Sequence, residues 1–331
     1  MLPGEFKTFQ HPVPESLAYW NRMKEAIQAK LIQRLGDRPP LFTPRPEIIR
    51  QETKAGYDLD KFQFDNGLGN MVYGYFAVPH GLRGKAPAIL YNHQHAGAYG
   101  TGKEELLNPW PTATPPAEAF TRAGFCVLGI DAYAFGERQN QGPAGEKESG
   151  RATEESLFKM FLWQGKTLWG LMVRDDQLAL NYLLSRPEVD TERVGATGFS
   201  MGSTRTWWLA ALDDRIKAAV CVACLTRYQN LIQHGLNNSH GIYYYVPGIP
   251  ERLERQLVAF IHEVRTLELK KLPSISETID WARALLLLHS EGLDRDLTRK
   301  TLNTFLKFEE DIRTVDEKLF LLVDRAVKEG S

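Results

Sequence analysis

The sequence predicts an α/β fold, a mostly parallel sheet with helices on both faces, followed by an all-helical segment. Three observations carry this expectation. Short apolar runs alternate with helix-length stretches before residue 250. Beyond it the turn-forming residues nearly vanish: of 27 glycines and 18 prolines only Gly292, Gly330 and Pro273 remain. Apolar residues there recur at helical spacing instead. We therefore expect one unit over 1–250 and a helical bundle over 251–331.

The first strand expected is MVYGYFAV (71–78), followed by APAILYNH (86–93), GFCVLGID (124–131), RVGATGF (193–199) and KAAVCVAC (217–224). Apolar runs of this length, separated by room for a crossover helix, fit strands buried on both faces. In the second segment Leu253, Leu257, Phe260, Ile261, Val264 and Leu267 share one helical face. Pro273 and the capping box Ser274-x-x-Glu277 open a helix through Trp281 to about residue 288. A further helix is expected over about 295–312, and Val315, Leu319, Leu322, Val323 and Ala326 continue the helical period.

Composition narrows the function. A chain of 331 residues that is 43% hydrophobic and 24% charged is neither disordered nor fibrous. Forty basic against 41 acidic residues, a formal net charge of −1, provide no field to hold nucleic acid. The longest apolar runs, such as Ala284 to Leu288, fall far short of the roughly 20 residues that cross a bilayer. The start MLPGEFKTFQ has no apolar secretory core, so a cytoplasmic location and no membrane partner are expected. Cys126, Cys221 and Cys224 are too few for a disulfide framework and read as buried strand thiols.

The most informative motif is Gly198-Phe199-Ser200-Met201-Gly202, between the strand RVGAT and the helix-forming STRTWWLAAL. A G-x-S-x-G in that setting turns sharply from strand to helix and presents the serine hydroxyl above the sheet. Ser200 is the candidate nucleophile, and Met201 N–H points where an oxyanion would form. A second donor is expected from the loop His93-Gln94-His95-Ala96-Gly97, with Ala96 and Gly97 N–H as candidates. His93 and His95 are read as loop-lining residues bonded to backbone, with a metal pair as the alternative. Asp131 and the Asp175-Asp176 pair read as structural charges, Glu137 and Arg138 as an ion pair. Trp207-Trp208 reads as helix packing. Tyr243, Tyr244 and Tyr245 line either a pocket mouth or a packed segment.

The blocks ILYNHQHAGAYGTGKEEL, VLGIDAYAFGERQ, LWGLMVRDDQLALNYLLSRPEVDTERVGATGFSMGSTRTWWLAAL, VACLTRYQNLI and HGIYYYVPGI, in that order, resemble the dienelactone-hydrolase and acetyl-xylan-esterase-like branch of the α/β-hydrolases. The resemblance covers about residues 15–250. It implies an α/β-hydrolase fold, Ser200 as nucleophile, carboxylic esters as substrates, and no metal or organic cofactor. Ala96 stands where relatives tend to carry glycine.

The resemblance also implies an acid and then a histidine on loops after later strands. The sequence instead runs from the YYYVPG block into ERLERQLVAFIHEVRTLELKKLPSISETIDWARALLLL, which resembles the helical lid of MoxR-type AAA+ ATPases to about residue 312. No G-x-x-x-x-G-K-[ST] accompanies it, so nucleotide hydrolysis is not expected. Candidates for the missing base and acid are His240, His234, His289 and Asp294. ARALLLLHSEGLDRD imitates an acid-bearing strand but follows a capping box, so Asp294 and Asp296 are expected near a helix; His262 and His289 read as helix-face residues. Without later strands, 217–224 becomes an exposed apolar edge.

Two functions follow as expectations. One is a serine hydrolase acting on small-molecule carboxylic esters through an acyl-enzyme on Ser200. The other is an inactive interaction module whose helical tail binds an AAA+ ATPase assembly or a second copy. A small-molecule binding protein that keeps the ester pocket is a third.

Overall fold

The computed structural model describes residues 16–109, 112–224, 241–247, 260–261, 263–274, 277, 281 and 293–329. They fall into two compact units, one drawn from Ala18–Thr226 and Asn238–Val246, the other chiefly from Pro247–Ser331.

In the first unit, helix α1 (Leu17–Arg34) precedes an antiparallel run of β1 (Glu47–Lys54), β2 (Tyr57–Asp65) and β3 (Met71–Pro79). Next come β4 (Ala86–Asn92), α2 (Pro116–Arg122) and β5 (Cys126–Ile130). Helices α3 (Arg151–Trp163) and α4 (Leu168–Ser185), strand β6 (Val189–Phe199), α5 (Met201–Leu212) and β7 (Ala218–Val222) complete the order. The seven strands form one sheet in the order β1-β2-β3-β5-β4-β6-β7. β3 meets β5 antiparallel, and β5, β4, β6 and β7 run parallel.

All five expected strands form. β1 and β2 were not foreseen, because neither carries a continuous apolar run. β2 instead buries Tyr57, Leu59, Phe62 and Phe64 among charged residues, the text of an antiparallel strand with one wet face. Both faces of the sheet are covered. Leu178, Leu180 and Leu183 of α4 and Leu209 of α5 pack with Phe62, Phe76, Leu90, Leu128 and Val194 on one side. Ala117 and Phe120 of α2 pack with Tyr57, Tyr75, Tyr91 and Val127 on the other.

The edge at β7 changes one expectation about the cysteines. Cys126 is buried in β5, but Cys221 and Cys224 are only half-buried, since β7 pairs with β6 alone among the described residues. Val220 is 61% exposed.

The second unit contains α6 (Arg295–Phe305) and α7 (Glu309–Glu329) around a core of Phe260, Val264, Trp281, Leu302, Phe305, Val315, Leu319 and Val323. Its capping box closes both ways: Ser274 Oγ accepts from Glu277 N–H at 3.2 Å, and Ser274 N–H donates to Glu277 Oε2 at 2.9 Å. The helix expected over 295–312 is in fact two. Leu306 turns extended (φ −102°, ψ 132°), placing its side chain in the core. Asp294 caps α6, its carboxylate accepting from Leu297 N–H at 2.9 Å, so this candidate acid is engaged as a helix cap. No described helix is long and apolar enough to cross a membrane.

Candidate active site

Strand β6 ends at Phe199 and α5 begins at Met201, leaving Ser200 between them at φ 55°, ψ −119°. A non-glycine residue held there carries strain of about 1–3 kcal/mol, which its surroundings must impose. Ser200 N–H donates to Val222 O at 2.9 Å, and Ser200 O accepts the first helical bond from Thr204 N–H at 3.1 Å. The flanking glycines serve close approach. A Cβ on Gly198 would lie 2.4 Å from Asn92 O, and one on Gly202 1.9 Å from the same atom. Nothing larger fits, so the motif pulls the elbow onto the end of β4. Met201 N–H, at the first position of α5, precedes the first intrahelical bond and is available to an anion.

Ser200 lines a cavity of about 700 Å³ together with His95, Ala96, Gly97, Glu154, Cys224 and Tyr243. That size suits a small-molecule site. Cys224 Sγ lies 3.7 Å from Ser200 Oγ. The loop after β4 thus reaches the serine's cavity. Ala96 has φ 46° and Gly97 φ 70°, so an alanine occupies a left-handed position that glycine takes more easily. Gly97 N–H is already donated to His95 Nδ1 at 3.0 Å. Ala96 N–H has no acceptor among the described residues.

Both loop histidines bond backbone. Ala132 N–H donates to His93 Nε2 at 3.0 Å, so Nδ1 carries the proton and donates to Gln94 O at 2.8 Å. Burial, reinforced by the Arg205 charge, holds His93 well below the usual imidazole range and keeps it neutral. In His95, Nδ1 accepts from Gly97 and Nε2–H donates to Glu154 Oε2 at 3.0 Å. Among the described residues no group of three or more His, Cys, Asp or Glu is placed to hold a metal.

The remaining charges are structural. Asp131 accepts from Lys103 Nζ at 2.9 Å and from Lys103 N–H at 2.7 Å, pinning the segment after the loop to the end of β5. Glu137 and Arg138 do not pair with each other. Glu137 meets Lys103 and Lys61, and Arg138 meets Asp175 at 2.9 Å. Asp176 takes a two-pronged bond from Arg205 of α5, with Nε at 3.0 Å. Arg174 donates to the carbonyls of Pro39, Pro40 and Asn66 and lies 4.0 Å from Asp175. Trp208 is buried against Trp169, as expected for helix packing. Tyr243 lines the cavity, Tyr244 packs on Trp169 and Tyr245 is partly exposed, so the three residues divide between both readings. His234, His240, His262 and His289 lie outside the described residues.

Sequence reasoning missed Glu154. Its only signal was a carboxylate in the first turn of a helix, which is ordinary helix chemistry.

The strand order, the helices on both faces and the elbow at the end of β6 define an α/β-hydrolase fold. Solved structures share it: a provisionally named acetyl xylan esterase from Bacteroides fragilis NCTC 9343 aligns with TM-score 0.56 at 18% identity, over 91% of this chain and 75% of that one. A glucuronoyl esterase from Solibacter usitatus aligns with TM-score 0.52 at 15% identity, over 77% and 73%. Residues 111–243 match the dienelactone hydrolase family. YtaP of Bacillus subtilis (strain 168), provisionally named a hydrolase, is 34% identical over 229 residues, 69% of this chain and 73% of its own length. The chain belongs to the dienelactone hydrolase family.

Proposed function

We propose that the chain is a carboxylic ester hydrolase with Ser200 as its nucleophile. Ser200 Oγ attacks the acyl carbon, its proton passes to a base, and the alcohol leaves as the acyl-enzyme forms; water then releases the acid. Met201 N–H and Ala96 N–H face the developing oxyanion. The observation that carries this reading is Ser200 itself, held at φ 55° on a strand-to-helix elbow and opening into a cavity shared with Ala96. His95 has both ring nitrogens engaged; His240, His234 and His289, the base candidates named from the sequence, lie outside the described residues. The test is hydrolysis of p-nitrophenyl acetate by the wild type and Ser200→Ala. A serine mechanism predicts loss of several orders of magnitude in kcat; equal rates in the two proteins overturn it.

A second reading concerns the helical unit, whose sequence resembles a MoxR-type lid. It has its own core and exposes Phe308 and Leu321. Docking on a MoxR-type ATPase predicts co-sedimentation with that partner, weakened by Leu321→Glu; no co-sedimentation contradicts it.

A further inference from the structure

We propose that Glu154 and His95 form a positioning pair for the oxyanion hole: they spend the Gly97 N–H and leave the Ala96 N–H as the loop's donor to the oxyanion at Ser200. This rests on the ester-hydrolase reading of Ser200 and assigns a role to a residue the sequence did not mark.

The tautomer of His95 follows from its neighbours. A backbone N–H can only donate, so Gly97 N–H at 3.0 Å fixes Nδ1 as the unprotonated nitrogen. Nε2 then carries the proton and gives it to Glu154 Oε2 at 3.0 Å. Glu154 is in turn fixed, because its side chain is 3% exposed and its N–H closes the first turn of α3 on Gly150 O at 2.9 Å. The ring has little freedom to rotate. Tyr243 stacks on it at 5.3 Å, while Tyr99 and Phe135 meet it edge-on, each at 4.9 Å.

The consequence falls on the loop. With Gly97 N–H tied back to the side chain two residues earlier, the turn is closed at His95, and Ala98 N–H closes it again on His95 O at 2.9 Å. Ala96 is the residue inside that closure. It is held at φ 46°, with its N–H lacking an acceptor among the described residues and the residue itself lining the cavity of Ser200. A fixed dipole that needs no reorganisation when charge develops is what an oxyanion hole requires. His95 does not serve as base in this arrangement. Taking the Ser200 proton on Nδ1 would require releasing Gly97 and opening the turn.

Two substitutions separate the roles of the ring nitrogens. His95→Asn places an amide oxygen near the Nδ1 position and keeps an acceptor for Gly97. His95→Gln reaches toward Glu154 but leaves Gly97 N–H without its acceptor. The readouts are the labelling kinetics of Ser200 with a fluorophosphonate, and amide hydrogen exchange in the peptide 92–99. The pair predicts a smaller change in labelling and exchange for His95→Asn, which keeps Gly97 tied but releases Glu154, than for His95→Gln. For His95→Gln it predicts faster exchange and a maximal labelling rate lower by about 10²–10³, the cost of one oxyanion donor, with reversible probe affinity unchanged. Equal and complete loss in both variants would make His95 the base and overturn the proposal, as would no change in either. If the wild type itself is not labelled, the ester-hydrolase reading falls and the proposal falls with it; if it is labelled and the two variants behave alike, only the pair's role falls.

Discussion

Ser200, Ala96 and His93 each carry a measurable consequence of their backbone or burial. Ala96 occupies a left-handed conformation that costs a non-glycine residue about 1–2 kcal/mol, offset in part by the greater freedom of glycine in the unfolded chain. Ala96→Gly should therefore raise stability by up to about 1 kcal/mol in urea unfolding, and a loss of stability would contradict the strain. His93 is buried and kept neutral, so its folded-state pKa lies below the unfolded one. Its stabilising contribution is complete above about pH 6.5 and declines as pH falls further, because the unfolded chain takes up a proton the folded protein refuses. The slope from this one group is at most about 1.4 kcal/mol per pH unit. Unfolding at pH 7.5 and 5.5 should show a smaller drop for His93→Gln than for the wild type. Ser200 and the Ala96–Gly97 loop were legible in sequence because an elbow needs small residues at fixed offsets. The division of labour within the loop was not. Which amide is spent depends on the rotamer of His95 and on Glu154, a residue 59 positions away.

Helices α4 and α5 meet through a buried charge pair that the sequence did not reveal. Asp176 and Arg205 are both buried and bonded two-pronged. Removing the guanidinium leaves a carboxylate buried without its partner, so Arg205→Met should cost about 3–5 kcal/mol, whereas Asp176→Leu with Arg205→Met should recover most of that loss. Thermal or chemical unfolding of the single and double variants checks both; an equal loss in the two would contradict it. The parallel strands were readable because burial on both faces writes continuous apolar runs such as CVLGI in β5. β1 and β2 were not, since β1 buries no residue and the alternating burial of β2 among Asp58, Asp60 and Lys61 reads as polar text. The break between α6 and α7 carries neither glycine nor proline. Leu306 leaves the helix because the core accepts its side chain there, a tertiary preference that local propensity does not record.

At the scale of the whole molecule, the sheet of the first unit ends at β7 among the described residues, with Val220 exposed on a strand that holds no charge from Ala218 to Val222. Uncharged edges invite pairing with other chains. Val220→Lys should change folding stability by no more than about 0.5 kcal/mol while reducing concentration-dependent association in sedimentation, and unchanged association would show that this edge is not its source. The helical unit has its own core, while the family relationship is carried by the first unit. The function of the first unit turns on whether Ser200 works. The most direct measurement is intact mass and peptide mapping after incubation with a fluorophosphonate. The account predicts a single adduct on Ser200 that is absent from Ser200→Ala; folded wild-type protein with no adduct, or an adduct that survives Ser200→Ala, would contradict it.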